Sequence, residues 1–143
     1  MIPGESMVKL EIFIYNRADQ TLSERGLYQE VKNILRTTKS VDHKEIQSNF
    51  SDSGWILEKR IFPEASWAWD AYKDKTAVSI ELSLIDAVHR DFLRAILANK
   101  RGELDVLVYV TSTFKEPKFH NVKRDISIFG DLLGFPILLI GLA

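Results

Sequence analysis

The chain contains no cysteine. That excludes a disulfide framework, a thiolate zinc site and a thiol nucleophile, and it suits a reducing compartment. Proline and glycine are sparse, four and seven of 143 residues, and no linker, repeat or low-complexity tract divides the sequence. No apolar run approaches the roughly 20 residues that a membrane helix needs. The longest, "GFPILLIGLA" at residues 134–143, is too short to span and misplaced for a signal peptide. The opening "MIPGESMV" has no basic region followed by an apolar one, so a cytoplasmic protein without a membrane partner is expected. Neither charge sign dominates: 19 Lys and Arg stand against 20 Asp and Glu, for a net charge of -1. Nucleic-acid binding would therefore need a local basic patch, or metal ions that neutralise acids at the site.

Several motifs are missing too. No G-x-G-x-x-G or G-x4-G-K-S/T run cradles phosphates, so no nucleotide cofactor is expected. No G-x-S-x-G elbow supports a hydrolase serine. His43, His89 and His120 form no H-x3-H or H-E-x-x-H pair, which argues against zinc.

What is present suits one domain over residues 1–143, with 45% hydrophobic and 27% charged residues. Residues 8–15 alternate, with Val8, Leu10, Ile12 and Ile14 on one strand face. Residues 16–23 read as a loop. Residues 23–38 read as a helix capped by Ser23, with Leu27, Val31, Ile34 and Leu35 as its stripe and Gly26 weakening its first turn. Residues 39–54 are polar and read as a short helix or a loop. Strands follow at 55–62, 66–72 and 76–83, with "KDK" turning between the last two. A helix at 84–102 carries Val88, Phe92, Leu93, Ile96 and Leu97, with Gly102 as its stop. "LDVLVYVTS" reads as a strand buried on both faces. A helix capped by Asn121 and a final strand complete a mixed sheet with helices on both faces. Trp55, Trp67 and Trp69 lie in these strands and read as core.

Two carboxylates sit inside this pattern. Asp70 falls in "SWAWDAY" and Glu81 in "TAVSIELS", where packing favours apolar residues. In the second strand Thr76, Val78, Ile80 and Leu82 form a core face, and Ala77, Ser79, Glu81 and Ser83 form the other. Pairing across the "KDK" turn can set Asp70 beside Glu81. Two adjacent carboxylates repel, and a divalent cation removes that cost. Mg²⁺ accepts one or two carboxylates, retained waters and substrate phosphates. Asp70, Glu81 and the Leu82 carbonyl supply such a partial shell. Acids near strand ends also commonly face solvent or pair with lysine, and Lys59, Lys73 and Lys75 are near in sequence.

"GWILEKRIF", "SWAWDAYKDKTAVSIELS" and "HRDFLRAILANKRGELDVLVYVTS" together resemble the core of the PD-(D/E)XK nucleases, and among them restriction endonucleases of the BglII type. The "FGDLLGFPILLIGL" ending resembles that family's last helix and strand, so the likeness covers residues 24–143. The family pattern is an aspartate on one strand and an acid-x-(Lys/Glu/Gln) triplet on the next. Asp70 matches the first, and Glu81, Leu82 and Ser83 match the second. The resemblance implies an α/β fold with a restriction-endonuclease-like core, a mixed β-sheet flanked by helices on both faces. It implies a Mg-dependent endodeoxyribonuclease acting on DNA, with Asp70 and Glu81 as metal ligands and Ser83 beside the attacking water. A homodimer is expected, because cutting both strands takes two sites and symmetric dimers are common.

Three features of the family need a counterpart here. Ser83 replaces Lys or Gln, and its hydroxyl can hold water but supplies no positive charge; Lys59 and Arg94 are candidate substitutes. An acid on the first helix often faces the metal, and Glu24 and Glu30 are the candidates. The chain is short for a restriction enzyme of this type, which implies little sequence specificity or specificity lent by a partner. His89 could approach the phosphates, and Lys100, Arg101, Lys115, Lys118, Lys123 and Arg124 could form a binding rim if they share a face. The competing reading is a catalytically inactive nuclease-fold protein that binds DNA or a protein partner.

Overall fold

The computed structural model describes residues 8–83 and 86–143. Its elements run β1 (Leu10–Tyr15), α1 (Ala18–Glu24), α2 (Tyr28–Arg36), α3 (His43–Asp52), β2 (Ile56–Arg60), β3 (Ala68–Lys73), β4 (Thr76–Ile80), α4 (Ala87–Lys100), β5 (Val106–Ser112), α5 (Phe119–Ile128), α6 (Gly130–Leu133) and β6 (Ile137–Leu142). The strands form one six-stranded sheet in the order β1-β6-β5-β4-β3-β2. The β4–β5 and β5–β6 pairs are parallel, and the other three are antiparallel. The mixed sheet expected from the order of elements is therefore present.

Alternation along the central strands divides the core in two. Val106, Val108 and Val110 face the layer of α1, α2 and α3, where Leu22, Val31, Leu35, Ile46 and Phe50 are buried. Leu107 and Tyr109 face the layer of α4, α5 and α6, against Phe92, Ala95, Phe119, Val122 and Ile126. Every residue of β5 is buried, as its unbroken apolar run implies.

Three local expectations need correction, and the open alternative of helix or loop at residues 39–54 is decided for a helix. Residues 18–24 are helical, because Asn16 and Arg17 take left-handed φ values of 53° and 58° and turn the chain straight from β1 into α1. Ser23 therefore lies inside α1 and caps nothing. Gly26, at φ 71°, ends that helix: its N–H donates to Ser23 O at 3.0 Å, and the Leu27 N–H donates to Leu22 O at 2.8 Å. This paired closure is the Schellman arrangement, so one expected helix becomes two. Residues 43–52 form a helix whose N-cap Asp42 side chain accepts from the Glu45 N–H at 2.9 Å. Its end closes through Gly54 in the same way, and Trp55 lands on Phe50 with ring centroids 5.1 Å apart. Finally, α5 begins at Phe119, with Lys118 rather than Asn121 at its N-cap.

Two of the three tryptophans are core, Trp55 and Trp69. Trp67 is half exposed. The Arg94 guanidinium stacks over it at 4.1 Å, and Phe62 meets it edge-on. Arg101 lies 4.9 Å from the Phe62 ring and pairs with Glu64 through two bonds of 3.0 and 2.8 Å. These contacts pin the β2–β3 connection against α4.

Candidate active site

In open α/β sheets, ligands gather beyond the carboxyl ends of the parallel strands. Here that edge is the end of β4 and β5. Glu81 follows β4 directly, and its N–H still donates to Val110 O at 2.9 Å. Regular pairing stops there. Strand β4 ends at Ile80, earlier than the sequence pattern implies, and Glu81, Leu82 and Ser83 form a bend. The backbone N–H groups of Leu82 and Ser83 favour the charged form of the Glu81 carboxylate, without outweighing burial. Leu82 packs beside the α1–α3 core, and Ser83 is exposed. The second face of β4 is covered too: Ala77 and Ser79 are both buried, Ala77 in the α4-side core.

Asp70 arrives from β3 through a break in the sheet's regularity. The β2–β3 ladder pairs Leu57 with Ala71 and Lys59 with Trp69 but skips Glu58 and Asp70. Glu58 adopts φ 53°, which costs a residue with a Cβ on the order of 1–2 kcal/mol. Trp69 then enters one core and Ala71 the other, although strict alternation would put them together. The kink turns the Asp70 carboxylate along the sheet edge, where Oδ2 accepts from the Ile80 N–H at 2.6 Å. Asp70 thus reaches the residue that precedes Glu81, and the antiparallel pairing expected to bring the two acids to one edge is observed.

Helix α3 supports the kink from above. His43 Nε2 lies 3.0 Å from Asp70 Oδ1. Gln47 Nε2 donates both to Glu58 Oε1 at 2.9 Å and to Asp70 O at 3.0 Å. The bond to Asp70 raises the His43 pKa, against the opposing effect of burial, and the charges of Glu58 and Glu81 add to the rise.

Helix α4 supplies a third acid that the sequence pattern did not reveal. Asp91 stands with Val88, Phe92 and Ala95 on the buried stripe, at helical spacing. Tyr109 Oη donates to Asp91 Oδ2 at 2.8 Å. No basic group forms an ion pair with Asp91 among the described residues. Burial pushes the Asp91 carboxyl up, and the charge of Asp70 adds to this. Burial and the charge of Asp91 likewise raise Glu81. Burial and Asp91 lift the Tyr109 phenol well above its ordinary range. The charge of Asp91 thus acts on Glu81, and that of Asp70 on Asp91. The cation whose charge reaches both Glu81 and Asp91 is Arg90.

Other candidates lie elsewhere. Glu30 accepts from Trp55 Nε1 at 2.7 Å and Lys73 Nζ at 3.1 Å, at the opposite end of β3 from the site. Glu24 is exposed on α1. Lys59 lies over the Tyr72 ring at 5.9 Å, and Arg94 is committed to Trp67. His89 meets Asp125 at 3.1 Å. The basic rim that these residues would form on a shared face is absent: Lys100 and Arg101 end α4 at the far side of the sheet, whereas Lys115 and Lys118 lie in the turn between β5 and α5. Arg124 pairs with Asp125, and Lys123 sits 5.1 Å from the Phe13 ring.

The sequence profile of the restriction endonuclease BglII/BglIII family matches residues 10–142. The chain belongs to that family. By this membership it is a restriction-endonuclease-like DNA nuclease. Restriction endonuclease BglII, in a crystal structure complexed with a DNA 16-mer, has the same fold: the TM-score is 0.81 at 18% identity, covering 94% of this chain and 78% of that one. Among curated proteins, no sequence matches. Six strands and two helical layers thus form a restriction-endonuclease-like α/β fold. Among the described residues no helix is long and apolar enough to cross a membrane.

Proposed function

We propose that the chain hydrolyses DNA phosphodiester bonds at the edge formed by Asp70 and Glu81, with a divalent cation, Mg²⁺ by preference, held by those carboxylates and the Leu82 carbonyl. The observation that supports this reading is that Asp70, bonded to the Ile80 N–H, and Glu81, the next residue, stand together at the carboxyl ends of β4 and β5. Carboxylates gathered at a sheet edge, with His43 beside Asp70 and Arg90 near Glu81, are the electrostatic complement of a hard cation. The donors fit: all are oxygens, the preference of Mg²⁺. No three His, Asp or Glu among the described residues make a cage, and a partial protein shell leaves room for water and a phosphate oxygen. Asp70 spends one contact on His43 and one on Ile80 N–H, and a carboxylate has about four acceptor positions.

Such a cation, when bound, polarises the scissile phosphate and lowers the pKa of a bound water. The chain's own groups do the rest. His43 and the Ile80 N–H fix the Asp70 carboxylate. The exposed Ser83 hydroxyl orients the attacking water. Arg90, rather than Lys59 or Arg94, provides positive charge beside the phosphate. Water adds across one P–O bond, leaving a phosphate monoester and a hydroxyl.

Cutting both strands calls for a second copy of the site, and an apolar surface suits that pairing. Leu93 and Leu132, 64% and 61% exposed, border a cleft with Phe92, Ile96, Phe129 and Leu133 between α4 and α6. Leu97 extends it one turn further along α4. Both leucines belong to the apolar pattern of their helices, yet neither is needed by the chain's own core. A symmetric dimer would cover them.

The test is incubation of supercoiled plasmid with Mg²⁺ or Mn²⁺, beside Asp70→Asn and Glu81→Gln. The expected result is nicked or linear plasmid with the unaltered chain and none with either variant. Equal cutting by all three proteins overturns the assignment. DNA binding without cutting by the unaltered chain would instead support the binding-only alternative.

A further inference from the structure

Beside the carboxylates, the chain leaving β5 presents a fixed turn with an exposed aromatic ring. Ile80 pairs with Val110 and the Glu81 N–H bonds to Val110 O, so β5 runs past the site and ends at Ser112, two residues beyond. Phe114 is 52% exposed. It follows Val110 by four residues, at most about 14 Å of chain. DNA rises about 3.4 Å per nucleotide along a strand, so a phosphodiester at the carboxylates leaves bases within about four steps in reach of this ring.

The turn is rigidly built. Ser112 Oγ accepts from the N–H groups of both Phe114 and Lys115 at 3.0 Å. Thr111 Oγ1 donates to Pro117 O, Ser112 bridges to Lys118, and the Thr113 N–H donates to Leu142 O at 3.1 Å. Held this way, Phe114 projects from the sheet end without entering either core. Lys115 Nζ stands 5.9 Å from its ring centroid. Neither Lys115 nor Lys118 forms an ion pair among the described residues. An exposed aromatic ring with Lys115 beside it and Lys118 in the same turn, neither paired with an acid among the described residues, offers a stacking surface for an unpaired base and cations for the adjoining phosphates. A protein partner would offer no regular array of anions for the lysines.

We infer that Phe114 stacks on a base of the bound DNA while Lys115 and Lys118 grip the adjoining phosphates, so that this turn, rather than a long recognition insert, seats the substrate over the carboxylates. The inference rests on the nuclease reading above. It is tested by fluorescence anisotropy with labelled duplexes of random sequence that carry a single-stranded overhang, using Ca²⁺ in place of Mg²⁺ to hold the complex uncut. Phe114→Ala should weaken binding about 5- to 150-fold, and Phe114→Trp should restore it. Lys115→Ala should reduce the slope of log K against log salt by about one. Thermal melting should be unchanged in all three, because the side chains are exposed. Unaltered affinity of Phe114→Ala, or equal losses in the Ala and Trp variants, overturns the role of the turn while leaving the nuclease reading intact. Absence of DNA binding by the unaltered chain overturns the nuclease reading and this one together.

Discussion

Gln47 carries two of the bonds that hold the kink at Asp70, one to the Glu58 carboxylate and one to the Asp70 carbonyl. Gln47→Ala should therefore lower cleavage about 10- to 100-fold, the usual effect of losing a group that orients a ligand, while Asp70 itself remains; initial rates on plasmid measure it. Asp91 gives an opposite signature. Burial raises the pKa of Asp91 and Glu81, and the bond to Asp70 raises that of His43. A folded-state pKa above the unfolded value contributes stability below the unfolded pKa and loses it as pH rises through the folded one. All three groups thus make stability decline with rising pH, the carboxyls above their ordinary range near 4 and His43 above about 6.5. Asp91→Asn keeps an acceptor for Tyr109 and removes the charge. Its melting temperature should match the unaltered chain in acid and exceed it at neutral pH, the gap widening with pH; a constant gap would contradict this. Asp70 and Glu81 were legible because acids interrupt short β-patterned runs. Asp91 was legible in principle, as an acid on an apolar stripe, but Leu93 and Leu97 drew the stripe to the wrong side of α4. The contacts of His43, Gln47 and Glu58 come from three separate elements, and no local pattern encodes them.

At the scale of elements, periodicity located all six strands and α4, because central strands are apolar throughout and a glycine follows α4, but it read α5 and α6 as one helix. It failed where single residues decide. Two left-handed non-glycine residues start α1, and Gly26 divides what reads as one amphipathic run. Strand β4 stops at Ile80, where the chain bends through Leu82 and Ser83, although the alternation continues to Ser83. Gly141 illustrates how the layers are fitted. On β6, a Cβ at this position would lie 2.8 Å from Phe119 Cδ2 and 2.9 Å from Thr113 Cγ2. Phe119 opens α5, and Thr113 begins the turn that carries Phe114. Gly141→Ala should destabilise the fold by about 1–3 kcal/mol through overpacking, read by denaturant unfolding. It should also disturb DNA binding more than an equally destabilising change in α2, since the strain falls beneath the turn.

For the whole molecule, the order of elements carried the fold, and the family profile spanning residues 10–142 agrees with it. The surface was less legible, because amphipathic spacing marks apolar residues without saying whether the same chain covers them. Leu93 and Leu132 are the case in point. The double change Leu93→Glu with Leu132→Glu should convert a dimer to a monomer in sedimentation while leaving helix content intact, and a monomeric unaltered chain would contradict the pairing. The chemistry depends on one cation shared by Asp70 and Glu81. Isothermal calorimetry with Mn²⁺, on the unaltered chain and on Glu81→Gln, addresses it most directly. The account predicts saturable heat and a rise in melting temperature for the unaltered chain, both lost in the variant. No heat with either protein, or the same heat with both, would contradict it.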